Sequence, residues 1–142
     1  MKNLKFLAAA FVAVIMSSCV QFKTEATVDV EVTRKGAPLA GETVYKFKDN
    51  GLGEGIANYK SNATGHVVSN AAGIAHFDIK SPDDIAPGKV MNVDVEDSET
   101  FFFATFDAEG TRNALVAVRV KSGDKKTVKL EVPEGLVNGN DE

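Results

Sequence analysis

Groups able to do chemistry are few and scattered along this chain. It holds two histidines, His66 and His76, and a single cysteine, Cys19. Nucleophilic catalysis by a serine, histidine and aspartate needs a histidine beside an activated hydroxyl, and no Gly-x-Ser-x-Gly turn occurs here. A zinc centre would have to join the two histidines to a carboxylate such as Asp78 without the close ligand spacing that marks such sites. The acidic group Asp94, Glu96, Asp97 and Glu99 has the oxygens calcium takes, yet it lacks the EF-hand loop pattern. It reads as a solvated hairpin turn with Asp97-Ser98 at its tip. In Asn50-Gly51-Leu52-Gly53-Glu54-Gly55 the glycines suggest a phosphate cradle, but such a cradle needs backbone amides leading into a helix, usually with a lysine. An acidic Glu54 sits among these glycines with no helix expected to follow, so the segment reads as a flexible surface loop. The expectation is a protein that is not an enzyme, with no catalytic residue, no metal and no cofactor.

Cys19 has a different context. Lys2 and Lys5 precede an unbroken apolar run from Phe6 to Met16, and the run ends at Met16-Ser17-Ser18-Cys19. Eleven apolar residues fall short of the roughly 20 that span a bilayer, so the pattern is a cleaved signal peptide, residues 1–18. Small residues before a cysteine resemble a bacterial lipobox, although Met16 stands where leucine is commoner. That resemblance implies that Cys19 takes a diacylglyceride and becomes the N-terminus, which also removes the hazard of a free thiol in an exported protein. Val20 is not the aspartate that commonly retains lipoproteins in the inner membrane, and by that analogy the outer membrane is expected.

Removing Lys2 and Lys5 lowers sixteen basic residues to fourteen against twenty acidic ones, a net charge of about −6. Binding to phosphates needs clustered Lys and Arg. The charge balance therefore argues against nucleic acid and anionic lipid as partners.

Positioning falls to β-strands. In Ala26, Val28, Val30 and Val32, apolar residues alternate with Thr27, Asp29, Glu31 and Thr33, the signature of a half-buried strand. The alternation recurs in Ala75-Phe77-Ile79, in Met91-Val93-Val95 and in Val128-Leu130-Val132, and it turns His76 toward solvent. Turn residues separate the strands at Lys35-Gly36-Ala37-Pro38, Ala72-Gly73, Ser81 to Asp84, Ala86-Pro87-Gly88, Glu109-Gly110 and Ser122-Gly123-Asp124. One domain over residues 26–132 is expected, an all-β antiparallel sandwich of seven or eight strands, with a tether at 19–25 and a tail at 133–142. Its core is expected to include Val28, Val30, Val32, Phe77, Ile79, Val93, Val128 and Leu130, plugged by Ile85.

The run Phe101-Phe102-Phe103-Ala104-Thr105-Phe106 is apolar on both faces. It is read as a central strand covered twice, with the segment Asp49–Gly65 and its Ile56 and Tyr59 folded over it. An alternative leaves Phe102 and Phe106 exposed as a platform for a sugar ring or a partner protein. Tyr59, Phe102 and Phe106 are accordingly the candidate binding surface.

The stretch from Val28 to Val44, with Gly36-Ala37-Pro38-Leu39-Ala40-Gly41, resembles the opening of carboxypeptidase-regulatory-like and bacterial immunoglobulin-like (transthyretin-like) domains. Val67 to Phe77 is similar to a later landmark of the same families, although Ser69 and Asn70 depart from their Thr-Asp pair. In these terms Gly41 and Gly73 would hold backbone angles that a Cβ forbids. The resemblance spans roughly residues 26–80 and implies a non-catalytic binding or spacing module. The expected function is thus a membrane-anchored envelope lipoprotein that binds or adheres to a glycan or an envelope protein. A structural spacer or assembly subunit is the alternative.

Overall fold

The computed structural model describes residues 23–81, 84–85, 89–90, 93–94 and 98–134. Residues 1–22, Cys19 among them, and residues 135–142 lie outside the described residues, and with them the expected leader and most of the expected tail, as does the side chain of Val93.

Alternating apolar residues give strands, and strands dominate. Ten are described: β1 (Lys23–Arg34), β2 (Ala37–Pro38), β3 (Thr43–Lys48), β4 (Gly65–Val68), β5 (Ile74–Ser81), β6 (Lys89–Val90), β7 (Val93–Asp94), β8 (Ser98–Phe106), β9 (Arg112–Lys121) and β10 (Lys125–Glu131). Seven of these have four residues or more. In the first sheet β1 lies between β10 on one side and β5 and β2 on the other, and the second sheet runs β4-β3-β8-β9. The fold is all-β, with two four-stranded sheets that are sandwich-like in section, and β6 and β7 form a separate two-stranded ladder.

The strands are not all antiparallel. The first and last long strands, β1 and β10, pair in parallel, with Val28 opposite Lys126, Val30 opposite Val128 and Val32 opposite Leu130. The purely antiparallel expectation fails here because alternation fixes which face a residue takes and leaves its neighbouring strand open. Of the strand expected over Met91–Val95, only Val93–Asp94 lies among the described residues, as β7, which pairs antiparallel with β6 through Val90 opposite Val93 and Lys89 opposite Asp94.

A second correction concerns the start of the domain. Lys23 to Glu25, assigned to the tether, belong to β1, where Lys23 pairs with Ser81 and Thr24 with Lys80. The register slips between Thr24 and Ala26, leaving Glu25 as an extra residue. Such a bulge breaks the period-two phase, which is why the alternation becomes visible only from Ala26.

The two sheets meet over one apolar core. Val28, Val30 and Val32 from β1, Ala75, Phe77 and Ile79 from β5 and Leu130 from β10 face Val44, Phe101, Phe103 and Val120 of the second sheet. The rings of Phe77 and Phe103 touch across the gap, their centroids 4.8 Å apart. Ile85 is fully buried in this core and Val128 partly so. On the outer side of the first sheet the alternate residues stay wet.

Turns close the ends as their residues dictate. Lys35 (φ +52°) and Gly36 (φ +76°) form a two-residue hairpin loop between Arg34 and Ala37, with both residues left-handed as a type I′ turn requires. The corner at residues 38–41 is held by Ser69, whose hydroxyl donates to the carbonyl of Leu39 at 2.6 Å and accepts from the amide of Glu42 at 3.0 Å. Asn70 does similar work in the next turn, its Oδ1 accepting from the amides of Ala72 and Ile74. The two residues that depart from the resembled pattern thus supply a hydroxyl and a side-chain oxygen at its turn.

Candidate functional site

β8 lies between β3 and β9, so both of its faces need cover. Phe101 and Phe103 point into the main core, while Phe102, Ala104 and Phe106 point the other way. On that outer side β3 contributes Phe47 and Tyr45, and a second apolar cluster forms with Ala57, Ile56, Ala63 and Leu115. The rings of Tyr45 and Phe106 meet edge to face at 5.4 Å, a favourable aromatic geometry.

The cover is the segment after β3. It is ordered as two short 3-10 turns, Gly53–Asn58 and Lys60–Asn62, and not as the flexible loop expected. Its path is tied down at both ends: the amide of Asp49 donates to the carbonyl of Thr100 at 2.9 Å, and that of Thr64 to the carbonyl of Lys46 at 2.8 Å. Asp49 and Asn50 accept from the amides of Gly51 and Leu52, which directs the glycine run into the first turn. Across the cap, Arg112 Nη1 donates to the carbonyl of Glu54 at 3.1 Å, and Asn62 Nδ2 to that of Ile56 at 3.1 Å. Lys60 lays its ammonium 5.6 Å from the ring centroids of both Tyr45 and Phe106, a cation–π arrangement.

This packing corrects the exposed-platform reading. Phe102 and Phe106 are 6% and 8% exposed, because the 3-10 turns lie over them. The double cover expected for this strand is what the structure contains. Tyr59, the third candidate, is 68% exposed on the outside of the cap, and Leu52 is 77% exposed at its start. Leu52 escapes sequence reasoning because it stands between Gly51 and Gly53 in a run that looks like a glycine loop. Its signal was a large apolar side chain on a segment that already had Ile56 to turn inward.

The histidines stand apart from this face. His76 lies on the wet side of the first sheet, its Nδ1 2.5 Å from Asp29 Oδ1 and its Nε2 3.1 Å from Asp78 Oδ1. The bond to Asp29 and then that to Asp78 hold its pKa above the usual histidine value, against some loss of hydration. His66 packs against Tyr45 at 5.6 Å. Among the described residues no group of three or more His, Cys, Asp or Glu side chains is arranged to hold a metal ion. No described helix is long and apolar enough to cross a membrane.

Among the described residues one charged pair is buried. Lys46 Nζ lies 2.9 Å from Asp84 Oδ2, with 8% and 11% of their side-chain surfaces exposed. Asp84 Oδ2 also accepts the amide of Lys80 at 3.0 Å, and the Lys46 ammonium stands 5.9 Å from the Phe101 ring centroid. The pair ties β3 of one sheet to the turn leaving β5 of the other. Both partners are engaged, which fits a structural tie better than a reactive group.

No known family pattern and no curated protein matches the sequence. Among solved structures, the TIE protein of Bacillus anthracis is similar with a TM-score of 0.43 and 12% identity over 75% of this chain. The similar region spans 16% of that protein's length.

Proposed function

We propose that this chain is an exported lipoprotein, anchored through lipid on Cys19, whose β domain binds a glycan or an envelope protein by contact and without catalysis. The observation that carries the reading is the cap: two short turns, fixed to the sheet by hydrogen bonds and by a second apolar cluster, hold Tyr59 and Leu52 outward. Recognition commonly sits on loops held by a rigid scaffold, and an exposed tyrosine gives contact area at low entropy cost. The contact surface of this proposal is therefore Leu52 and Tyr59, without Phe102 and Phe106. The finer fold reading, an immunoglobulin-like or transthyretin-like sandwich of the carboxypeptidase-regulatory kind, is supported by the Pro38–Gly41 corner and the Ser69–Gly73 turn.

The test is to screen glycan arrays and envelope extracts with the leaderless domain, beside a Leu52→Ser/Tyr59→Ser variant. The expected result is an unchanged melting curve with loss of the ligands that wild type retains. Identical ligand sets would remove this surface. The anchor is tested separately by fractionating cells that express Cys19→Ala. Equal amounts of wild type and mutant in the membrane fraction would sink it, and recovery of wild type in the inner membrane would correct the proposed outer-membrane location. A spacer or assembly role has one observation in its favour: β9, ten residues long, pairs only with β8 among the described strands, and an open edge can add a strand from another chain.

A further inference from the structure

The direction of β1 gives the domain an orientation. Lys23 opens the strand beside Ser81, and the turn between β9 and β10 sits at the same end, with the amide of Gly123 donating to the carbonyl of Glu25 at 2.6 Å and that of Thr27 to the carbonyl of Asp124 at 2.9 Å. The start of β8 is there too, since Ser98 pairs with Lys121. Twelve residues of β1 extend for about 40 Å at the usual strand rise. At the far end lie the Lys35-Gly36 hairpin, the Asn70–Gly73 turn and, because β10 runs parallel to β1, the end of β10.

Between Cys19 and Lys23 there are four peptide steps, which reach at most about 14 Å when fully extended. A lipid on Cys19 fixes that residue at the bilayer surface. We propose that the β9–β10 turn and the start of β1 lie against the phospholipid headgroups of the leaflet that holds the lipid, with the Asn70–Gly73 turn directed away. This rests on the lipid-anchor reading above. Lys23, Lys80, Lys121, Lys125 and Lys126 at this end stand among Glu25, Glu99 and Asp124, and against a zwitterionic headgroup with no net charge this small excess contributes little to the contact. The short tether holds the surface in place, so added salt leaves the contact intact.

The test uses the full lipidated protein in phosphatidylcholine vesicles that carry a quencher on the headgroup. Cys19 is blocked by its lipid, so a fluorophore goes on a single new thiol at exposed Lys125→Cys or, at the far end, at exposed Ala71→Cys. The expected result is loss of most of the fluorescence at position 125 and little at position 71, at low and high salt alike. An insert of about twelve Gly/Ser residues between Gln21 and Phe22, with an r.m.s. span of about 20 Å, should abolish that difference. Protein that floats with the vesicles but is quenched equally at both positions, or whose quenching disappears in salt, overturns the orientation alone. Protein that does not float overturns the anchor and the orientation together.

Discussion

At the scale of single residues, Gly41 and Gly73 separate two reasons for a glycine. Both hold a left-handed backbone, with φ of +78° and +80°. A Cβ on Gly41 would meet open space, whereas one on Gly73 would lie 2.8 Å from the carbonyl oxygen of Val32 and 2.9 Å from Pro38 Cβ. Gly41→Ala should therefore cost only the backbone preference, about 1–2 kcal/mol. Gly73→Ala should cost clearly more, because the Val32 amide bonded to the carbonyl of Gly73 must shift as well; thermal melts of the two variants compare them directly. The need for these glycines was legible in the sequence, while the unequal crowding depends on a chain crossing that no local pattern announces. His76 offers a test in pH. Its folded pKa is raised by Asp29 and Asp78, so its contribution to stability is fully present below the unfolded value of about 6.5 and fades as pH rises through the folded one. The opposite sign holds for Glu131, whose carboxyl is lowered by the hydroxyl of Thr33 and then by the amides of Gly36 and Lys35. Its contribution is present above the unfolded value and fades as pH falls through the depressed one. In a titration followed by NMR, Asp29→Asn should move the His76 midpoint down, and an unmoved midpoint would refute the role given to Asp29.

At the scale of elements, β3 and β8 carry the same message twice. Each is apolar on both sides, Val44 against Tyr45 and Phe47 in one strand and Phe101 and Phe103 against Phe102 and Phe106 in the other. Two neighbouring strands of that kind require a second cover, and the sequence reading of the Asp49–Gly65 segment as a lid came from the β8 half of that pattern. What it could not supply was the lid's order, because 3-10 turns lack a long helical period and this one is held by bonds to distant backbone. Phe102→Ala should destabilise the domain by about 3–5 kcal/mol, measured by urea unfolding, and a change near zero would return Phe102 to the surface. Shortening residues 51–61 to a tight turn would uncover Phe47, Phe102 and Phe106 together, so loss of binding in such a variant would mix recognition with unfolding. The buried pair makes a separate prediction. Lys46→Met leaves Asp84 charged and buried, at a cost of about 3–5 kcal/mol. Lys46→Met with Asp84→Asn removes both charges and keeps an acceptor for the amide of Lys80, so most of that loss should return. A lysine on the inner face of β3 was hidden from sequence reasoning because its partner lies 38 positions away.

For the whole molecule, the decisive contact is the one that joins the ends of the domain. Strand phase could be read locally, and the buried faces of β1, β5 and β10 fall where the alternation puts them. Strand order could not, because an apolar face records only that it is covered and carries no mark of its neighbour. The parallel ladder sets Val30 beside Val128 and Val32 beside Leu130. β10 then delivers Leu130, and Val132 just beyond it, to the floor of the main core, while the amide of Val132 bonds the carbonyl of Thr33 at 2.7 Å. Until β10 exists, β1 has an open edge over seven paired positions, from Thr27 to Thr33, and the core lacks part of one wall. Contacts of such sequence separation form late and slow folding. A chain that stops after Asp124 should therefore keep some strand signal in circular dichroism, yet lose cooperative unfolding and bind a hydrophobic dye. Adding residues 125–134 back as a separate peptide should restore the cooperative transition by completing the edge, in the manner of strand addition. A truncated chain that melts as sharply as the full domain would show that the β1–β10 ladder is dispensable and that the remaining strands close the core alone.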